Sequence, residues 1–388
     1  MNRREFLTTT SATLAAASLP SSVLAQAAEP AKPATDSRFQ FGPKPGVVVK
    51  PGEFVFAAAH FDHSHLNGMC SSLVAAGATL KWLYEPDAKK LAPVQRRYPK
   101  AKVAKSLQEI LDDPEVKLVA AAAVTNLRGP LGCTVMEAGK DYFTDKAPLT
   151  TMAQLEQAKA TVAKTGKKFM VCYSERLSNE SAMYATDLVQ GGAIGRVLQV
   201  VNLAPHRLSA SSRPAWFWVR EQFGGILCDI GSHQFEQFVA YSGVKSASVL
   251  HASIANYAHP EYPEFEDFGD ANILGDNGAT QYARLDWFTP DAVTAFGDGR
   301  TFILGTKGFI ELRKYLDLAR ERTGSQLYIA DDKAMTHIEC AGKVGYKYYG
   351  QLILDCLNRT ENAMTQSHAF LAAELGVKAQ AAAKRIAG

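Results

Sequence analysis

Residues 54–84 read FVFAAAHFDHSHLNGMCSSLVAAGATLKWLY. An apolar run over 54–59 opens the segment, an amphipathic stretch follows over 66–76, Gly77 breaks it, and a second strand-like run covers 79–84. Apolar rather than alternating strands are those buried on both faces, as in a parallel sheet covered by helices. The unit repeats toward the C-terminus: a helix over 106–111, a strand over 117–124, a helix over 130–138, a short strand over 142–144, a helix over 152–164 and a strand over 168–173. This alternation predicts a doubly wound α/β domain with a parallel sheet.

Beyond Arg176 the texture changes. A helix is expected over 180–190, ended by Gly191-Gly192, and then longer strands that alternate or carry Thr, Val, Tyr and Trp, over 197–203, 246–257, 279–288, 294–296, 301–305 and 309–312. Half-buried antiparallel strands have this pattern. An Ala-rich helical tail over 349–386 completes the chain. The expected fold is an N-terminal Rossmann-type domain over 53–175, then an α+β domain over 176–388 with a large open, mostly antiparallel sheet.

The residues before the first strand read differently. Asn2-Arg3-Arg4-Glu5-Phe6-Leu7, a mildly apolar Thr/Ala/Ser-rich stretch and Ala25-Gln26-Ala27 have the order of a twin-arginine export signal with a cleavage site after Ala27. Five prolines between Ala28 and Gly52 make 28–52 an expected linker. The expectation is export to the periplasm by the twin-arginine machinery.

Composition narrows the function. The 388 residues, 47% hydrophobic and 21% charged, supply an ordinary globular core, and 42 basic against 39 acidic residues leave +3, too little for a nucleic-acid footprint. No later segment has the roughly 18 consecutive apolar residues of a spanning helix, so no stable membrane insertion is expected. Cys70, Cys133, Cys172, Cys228, Cys340 and Cys356 form no C-x-x-C and read as buried small hydrophobes.

Three segments carry chemistry. Gly139-Lys140-Asp141-Tyr142-Phe143-Thr144-Asp145-Lys146-Ala147-Pro148 ends a strand, where open α/β sheets hold their ligands. Gly224-Gly225-Ile226-Leu227-Cys228-Asp229-Ile230-Gly231-Ser232-His233 sets Asp229 and His233 at i and i+4, one face of a helix. Gly305-Thr306-Lys307-Gly308-Phe309-Ile310-Glu311-Leu312 is a tight turn between late strands. In order and spacing the three resemble the Glu-Lys-Pro, Gly-Gly-x-x-x-Asp-x-Gly-x-His and Gly-x-x-Gly segments of the glucose-fructose oxidoreductase, inositol dehydrogenase and MocA (Gfo/Idh/MocA) family, from about residue 53 to the end.

The resemblance implies an NAD(P)-binding Rossmann domain, a second domain often used for homo-oligomerisation, and a carbohydrate substrate oxidised by hydride transfer. By position, Lys146, Asp229 and His233 are the catalytic candidates: His233 takes the hydroxyl proton, Asp229 orients its imidazole, and Lys146 polarises the developing alkoxide. Ala147 stands between Lys146 and Pro148, a departure from the family segment.

The phosphate loop departs further. Where the family has G-x-G-x-x-G, this chain has Ala57-Ala58-Ala59-His60-Phe61-Asp62-His63-Ser64-His65. Glycines there let the backbone approach a pyrophosphate; here Asp62 or Ser64 is expected to cap the helix and occupy its amides. His60, Phe61, Asp62 and His63 remain the cofactor-binding candidates. They are joined by Glu85, placed for the ribose hydroxyls and favouring NAD over NADP, by Thr125, Asn126 and Arg128 toward the nicotinamide, and by Asp145 with Lys146. Tyr173, Arg176, His206, Arg213, Trp216 and His233 are the substrate candidates. His60, Asp62, His63 and His65 resemble a metal cluster, but four donors within six residues rarely converge without outside ligands, so no metal is expected. The acidic, aromatic stretch 262–270 reads as a solvated loop or subunit contact.

Export shapes the expected chemistry. Outside the cytoplasm no nicotinamide pool recycles a released cofactor, so the NAD(P) should stay tightly bound and be regenerated in place, by paired oxidation and reduction of two substrates. The alternatives are a redox-neutral NAD-dependent glycosidase or epimerase, and a cofactor-free carbohydrate-binding or scaffold protein.

Overall fold

A computed structural model describes residues 38–320 and 323–387. The expected export signal and the first residues of the expected linker lie outside the described residues. From residue 38 onward the linker lies on the body: Phe41 packs on Tyr184 with ring centroids 4.9 Å apart, and the Val48 N–H donates to Ala76 O at 3.0 Å.

The first sheet has six strands, β1 (Val55–Ala59), β2 (Thr79–Tyr84), β3 (Lys102–Val103), β4 (Val116–Ala121), β5 (Asp141–Asp145) and β6 (Phe169–Cys172). All pairs are parallel, in the order β3-β2-β1-β4-β5-β6. Every residue of β1, β5 and β6 is buried; β1 and β6 are apolar runs for that reason, while β5 buries Asp141 and Asp145 with the Lys168 and Lys146 N–H groups donating to them. The connections are α1 (His65–Ala75), α2 (Ala88–Arg97), α3 (Leu107–Asp112), α4 (Thr125–Glu137) and α5 (Met152–Thr165). The strand order reverses between β1 and β4, whose carboxyl ends carry Ala58 and Ala59 paired with Ala120 and Ala121. Ligands of open α/β sheets bind at such a switch point.

After β6 the chain forms α6 (Ser174–Leu177), α7 (Glu180–Gln190), β7 (Val197–Pro205), α8 (Arg220–Phe223), α9 (Ile226–Asp229) and α10 (Gly231–Ser242). Then come β8 (Ala247–Ala255), β9 (Phe268–Gly275), β10 (Thr280–Asp286), β11 (Arg300–Gly305), β12 (Gly308–Arg313), β13 (Gln326–Asp331), β14 (Met335–Glu339), α11 (Lys347–Asn358), α12 (Gln366–Ala382) and β15 (Lys384–Ala387). The second sheet runs β14-β13-β12-β11-β7-β10-β9-β8-β15, antiparallel except at β7–β10 and β8–β15. This is the expected fold class. The tail divides its loyalties: Tyr348, Tyr349, Leu352 and Ile353 of α11 join the core of the first sheet, while Leu375 and Ala379 of α12 join that of the second.

Four expectations fail locally. The helical tail expected over 349–386 is interrupted between α11 and α12 and gives way to β15 at its end. Residues 294–296 form no strand; Phe296 instead packs edge-on against His206. β13 and β14 lie in sequence where no strand was expected. The stretch 262–270 is not simply a solvated loop, because it runs into β9 and its Glu266 and Asp267 are buried. Glu266 accepts from the Ile226 N–H, and Asp267 from the Tyr257 and Ala258 N–H groups. Charges with such partners belong inside. All six cysteines are buried and free.

Candidate active site

The end of β5 and the start of α10 meet over the switch point. Gly224 and Gly225 lie at φ +90° and +89°, and a Cβ on Gly225 would fall 2.4 Å from the Gln380 side chain. Only glycine suits both demands. The turn they make is pinned where the Leu227 N–H donates to Gln380 Oε1 at 2.9 Å, and it delivers Asp229 and His233 to the crevice.

Lys146 Nζ lies 2.5 Å from Asp229 Oδ1, a nearly buried ion pair bridging the two parts of the chain. Burial alone would raise the Asp229 carboxyl, but Lys146 holds it below its ordinary value. Asp229 therefore serves Lys146, not His233 as expected. His233 is 2% exposed and its Nδ1 has no hydrogen-bond partner. Burial first, with Lys146 and His65 adding to it against Glu175, lowers its pKa to about 3, so the imidazole is neutral at ordinary pH. The Lys146–Ala147 peptide is cis. Behind it Arg128, 1% exposed, donates from Nε to Ala123 O at 2.7 Å and from its guanidinium to the carbonyls of Lys146 and Ala147.

These groups border a pocket of about 180 Å³ whose lining also includes His63, His65, Thr125, Glu175, His206, Arg213, Trp216, Phe217 and Trp287. That is below the ~300–1,000 Å³ of drug-sized sites and suits one small polar molecule. Arg213 is fixed by its Nε donation to Leu208 O at 2.7 Å, with its guanidinium 4.6 Å from the Phe217 ring centre and 4.7 Å from that of Trp287. The Trp216 indole N–H is buried without a partner.

The substrate candidates do not all converge. Arg176 is turned away: α6 directs it to Glu236, whose carboxylate accepts from Nε at 2.8 and 2.9 Å, and it borders a separate cavity of about 560 Å³ near α7, α10 and α11. Tyr173 is fully buried and donates to Ala369 O at 3.0 Å; its ring centre is 6.5 Å from that of His233, so it packs behind the histidine. The neighbour that does face the pocket is Glu175, which the sequence reading passed over. Its Oε2 accepts from Lys314 Nζ at 2.5 Å and from Gln234 Nε2 at 2.9 Å, and its Oε1 lies 3.3 Å from His206 Nε2. Burial alone would raise its carboxyl, but Lys314 and the histidines hold it well below the ordinary range. Its place just past a strand end was the available signal.

On the cofactor side, neither Asp62 nor Ser64 caps α1. Asp62 pairs with Lys90 at 2.5 Å, and Ser64 makes no side-chain cap bond. The first turn carries no acid that would repel a phosphate, although its Leu66 and Asn67 N–H groups already donate to His63 O at 3.4 Å and Ser64 O at 3.1 Å. His60 has φ +58°, the left-handed conformation in which glycine is the default, so the loop keeps a glycine-like path without the glycine. The buried Glu85 at the end of β2 accepts from the Phe61 N–H at 2.6 Å and the Asp87 N–H at 3.0 Å, leaving lone pairs for ribose hydroxyls. The ribose of a dinucleotide therefore fits at Glu85. Thr125 borders the pocket, while Asn126 has a buried Oδ1 without a partner. Phe61 is buried, and Arg128 braces the Lys146 backbone. His63 and His65 both turn their Nδ1 atoms to Asp145, at 2.8 and 3.0 Å. Burial first, with His65 adding to it, lowers the His63 pKa to about 4.

Residues 58–173 match the family described as "Oxidoreductase family, NAD-binding Rossmann fold", and 183–311 match the "GFO/IDH/MocA C-terminal domain". Among solved structures, a protein of Erwinia carotovora atroseptica SCRI1043 assigned as an oxidoreductase is 46% identical, with a TM-score of 0.83 over 86% of this chain and 100% of that one. Levoglucosan dehydrogenase, solved with NADH and levoglucosan, shares the fold at 17% identity, with a TM-score of 0.70 over 84% of this chain and 97% of that one. The NAD(+)-dependent scyllo-inositol 2-dehydrogenase of Bacillus subtilis is 25% identical over 66% of this chain and 72% of its own length. The chain spans 38% and 62% of the length of two further curated relatives.

Proposed function

This chain belongs to the Gfo/Idh/MocA oxidoreductase family, and on that premise we propose that it moves hydride between a sugar or polyol carbinol and a tightly bound NAD(P). When bound in the Rossmann crevice, the nicotinamide supplies the hydride acceptor. Glu85 would hold the adenosine ribose; its negative charge opposes a 2′-phosphate and favours NAD.

One observation carries the reading: the Lys146–Asp229 ion pair and the unpartnered Nδ1 of the buried, neutral His233 border the same small pocket. A carbinol there donates its hydroxyl proton to His233 as hydride leaves the carbon. Lys146 donates a hydrogen bond to the oxygen as negative charge develops on it, and Asp229 keeps the ammonium in place. Trp216 offers an apolar face to a sugar ring, and Arg213, seated over the buried Trp287, a fixed cation at its edge.

Release to the periplasm by the twin-arginine route, with the cofactor already loaded, belongs to the same proposal, as does a homo-oligomer formed on the second sheet. That sheet carries Phe302 and Leu304 outward at 36% and 38% exposure.

A second reading, the redox-neutral cycle of a glycosidase or epimerase, is favoured by His206 and Glu175. They give the pocket a second imidazole, oriented by Glu175, as proton acceptor, which removal of a proton beside a transient ketone requires. The purified chain is denatured and its supernatant analysed for nucleotide by mass. Bound NAD(P), with net oxidised product when an acceptor sugar is added, supports hydride transfer between substrates, whereas cleavage or epimerisation without net redox change supports the second reading. No nucleotide, and no binding of supplied NAD or NADP, overturns both and leaves a carbohydrate-binding role.

A further inference from the structure

The β1–α1 connection and the end of β5 bring together three donors that hydride transfer does not use. His63 Nδ1 stands 2.8 Å from Asp145 Oδ2, and His65 Nδ1 stands 3.0 Å from Asp145 Oδ1. The two imidazole centres are 4.2 Å apart, and the three donor atoms lie within 4.8 Å of one another. The His65 contact is an ordinary hydrogen bond. The His63 contact is buried at both atoms, and the Arg128 guanidinium stands 3.5 Å from the same Asp145 Oδ2. Two imidazole nitrogens that converge on the two oxygens of one buried carboxylate are placed as co-ligands of one ion are, once the ion replaces the imidazole protons.

The surroundings fit. Asp145 is fully buried, and the Lys146 N–H fixes its Oδ1 at 2.8 Å, the kind of contact that orients a ligating carboxylate. His60 and Asp62 take no part, since the His60 ring packs on Tyr84 and Asp62 pairs with Lys90. The outside ligand that the local sequence cluster lacked is thus Asp145, about 80 residues away. Two imidazoles and one carboxylate suit zinc or another borderline divalent ion; magnesium and calcium prefer all-oxygen sets.

We propose that His63, His65 and Asp145 form a three-ligand site for a borderline divalent cation, with its open coordination position toward the pocket that holds Lys146 and His233. The proposal goes beyond hydride transfer and does not depend on it.

The test uses the purified full chain, stripped with a chelator, dialysed, and titrated without nucleotide with Zn²⁺ and, separately, with Co²⁺. The expected result is one ion retained per chain and a visible Co²⁺ spectrum that Zn²⁺ abolishes. His65→Ala should weaken binding by about 100-fold or more. The His65 side chain is 36% exposed, so this variant should fold, and circular dichroism checks that it does. His233→Ala should still retain one ion. No retained ion in the wild type, or equal affinity in wild type and His65→Ala, overturns the proposal.

Discussion

The two flanks of the crevice are built on opposite terms. On one, Gly224, Gly225, Asp229 and His233 keep their spacing, and their geometry follows from it: two left-handed glycines turn the chain and α10 begins where His233 is needed. On the other, His60 to His65 occupy the place of a glycine phosphate loop. There the path survives in the φ of His60 while the side chains acquire partners of their own, Tyr84, Lys90 and Asp145. A backbone conformation can thus persist after the residue type that usually marks it is gone. Side chains added at such a place bring new chemistry to the pocket.

The contrast is broken most severely from the first flank. His233→Ala should lower turnover by about 10²–10⁴-fold, the usual contribution of a positioned acid–base group, while nucleotide content measured after denaturation stays unchanged. Lys146→Met should abolish activity as well and lower stability by about 3–5 kcal/mol in chemical denaturation, because the Asp229 charge is left buried without its partner.

Acid should act on both flanks together. His233 and His63 have pKa values of about 3 and about 4 in the fold against 6.5 ordinarily, so protonation favours the unfolded chain. The stability they contribute is fully present above pH 6.5 and is lost as pH falls from there toward 3. For His233 alone this is on the order of 4 kcal/mol. Melting temperature followed over that range should fall steadily. The acid limb of kcat, by the same argument, should show no inflection from His233 between pH 5 and 7. The smallest effect belongs to His60→Gly: the strain of φ +58° is relieved and unfolded-state entropy is gained, so the melting temperature should move by only a few degrees.

How much of this the sequence discloses depends on the range of the interaction. The alternation of apolar runs and helices in 54–173 reads directly as the parallel sheet, because burial on both faces is a local pattern. β9 eluded that reading because the acids just before it are satisfied by groups far along the chain: Glu266 by the Ile226 N–H and by Gln380. A charge count does not see such partners. At the site, Lys146, Asp229 and His233 do line one pocket, yet the partner of Asp229 is Lys146, a contact across 83 positions. The interchange of Glu175 and Arg176 rests on the short helix α6, which points neighbouring side chains in different directions, one to the pocket and the other to Glu236. Position in sequence located the neighbourhood and left the facing residue open.

The most direct test mixes the purified full chain, with no nucleotide added, with a panel of aldoses and polyols, and follows the absorbance of reduced nicotinamide. The wild type should show a rise with at least one of them, and His233→Ala, with its nucleotide still bound, should show none. Equal signals from wild type and His233→Ala would contradict the assignment of His233 as the proton acceptor and, with it, this account of the pocket.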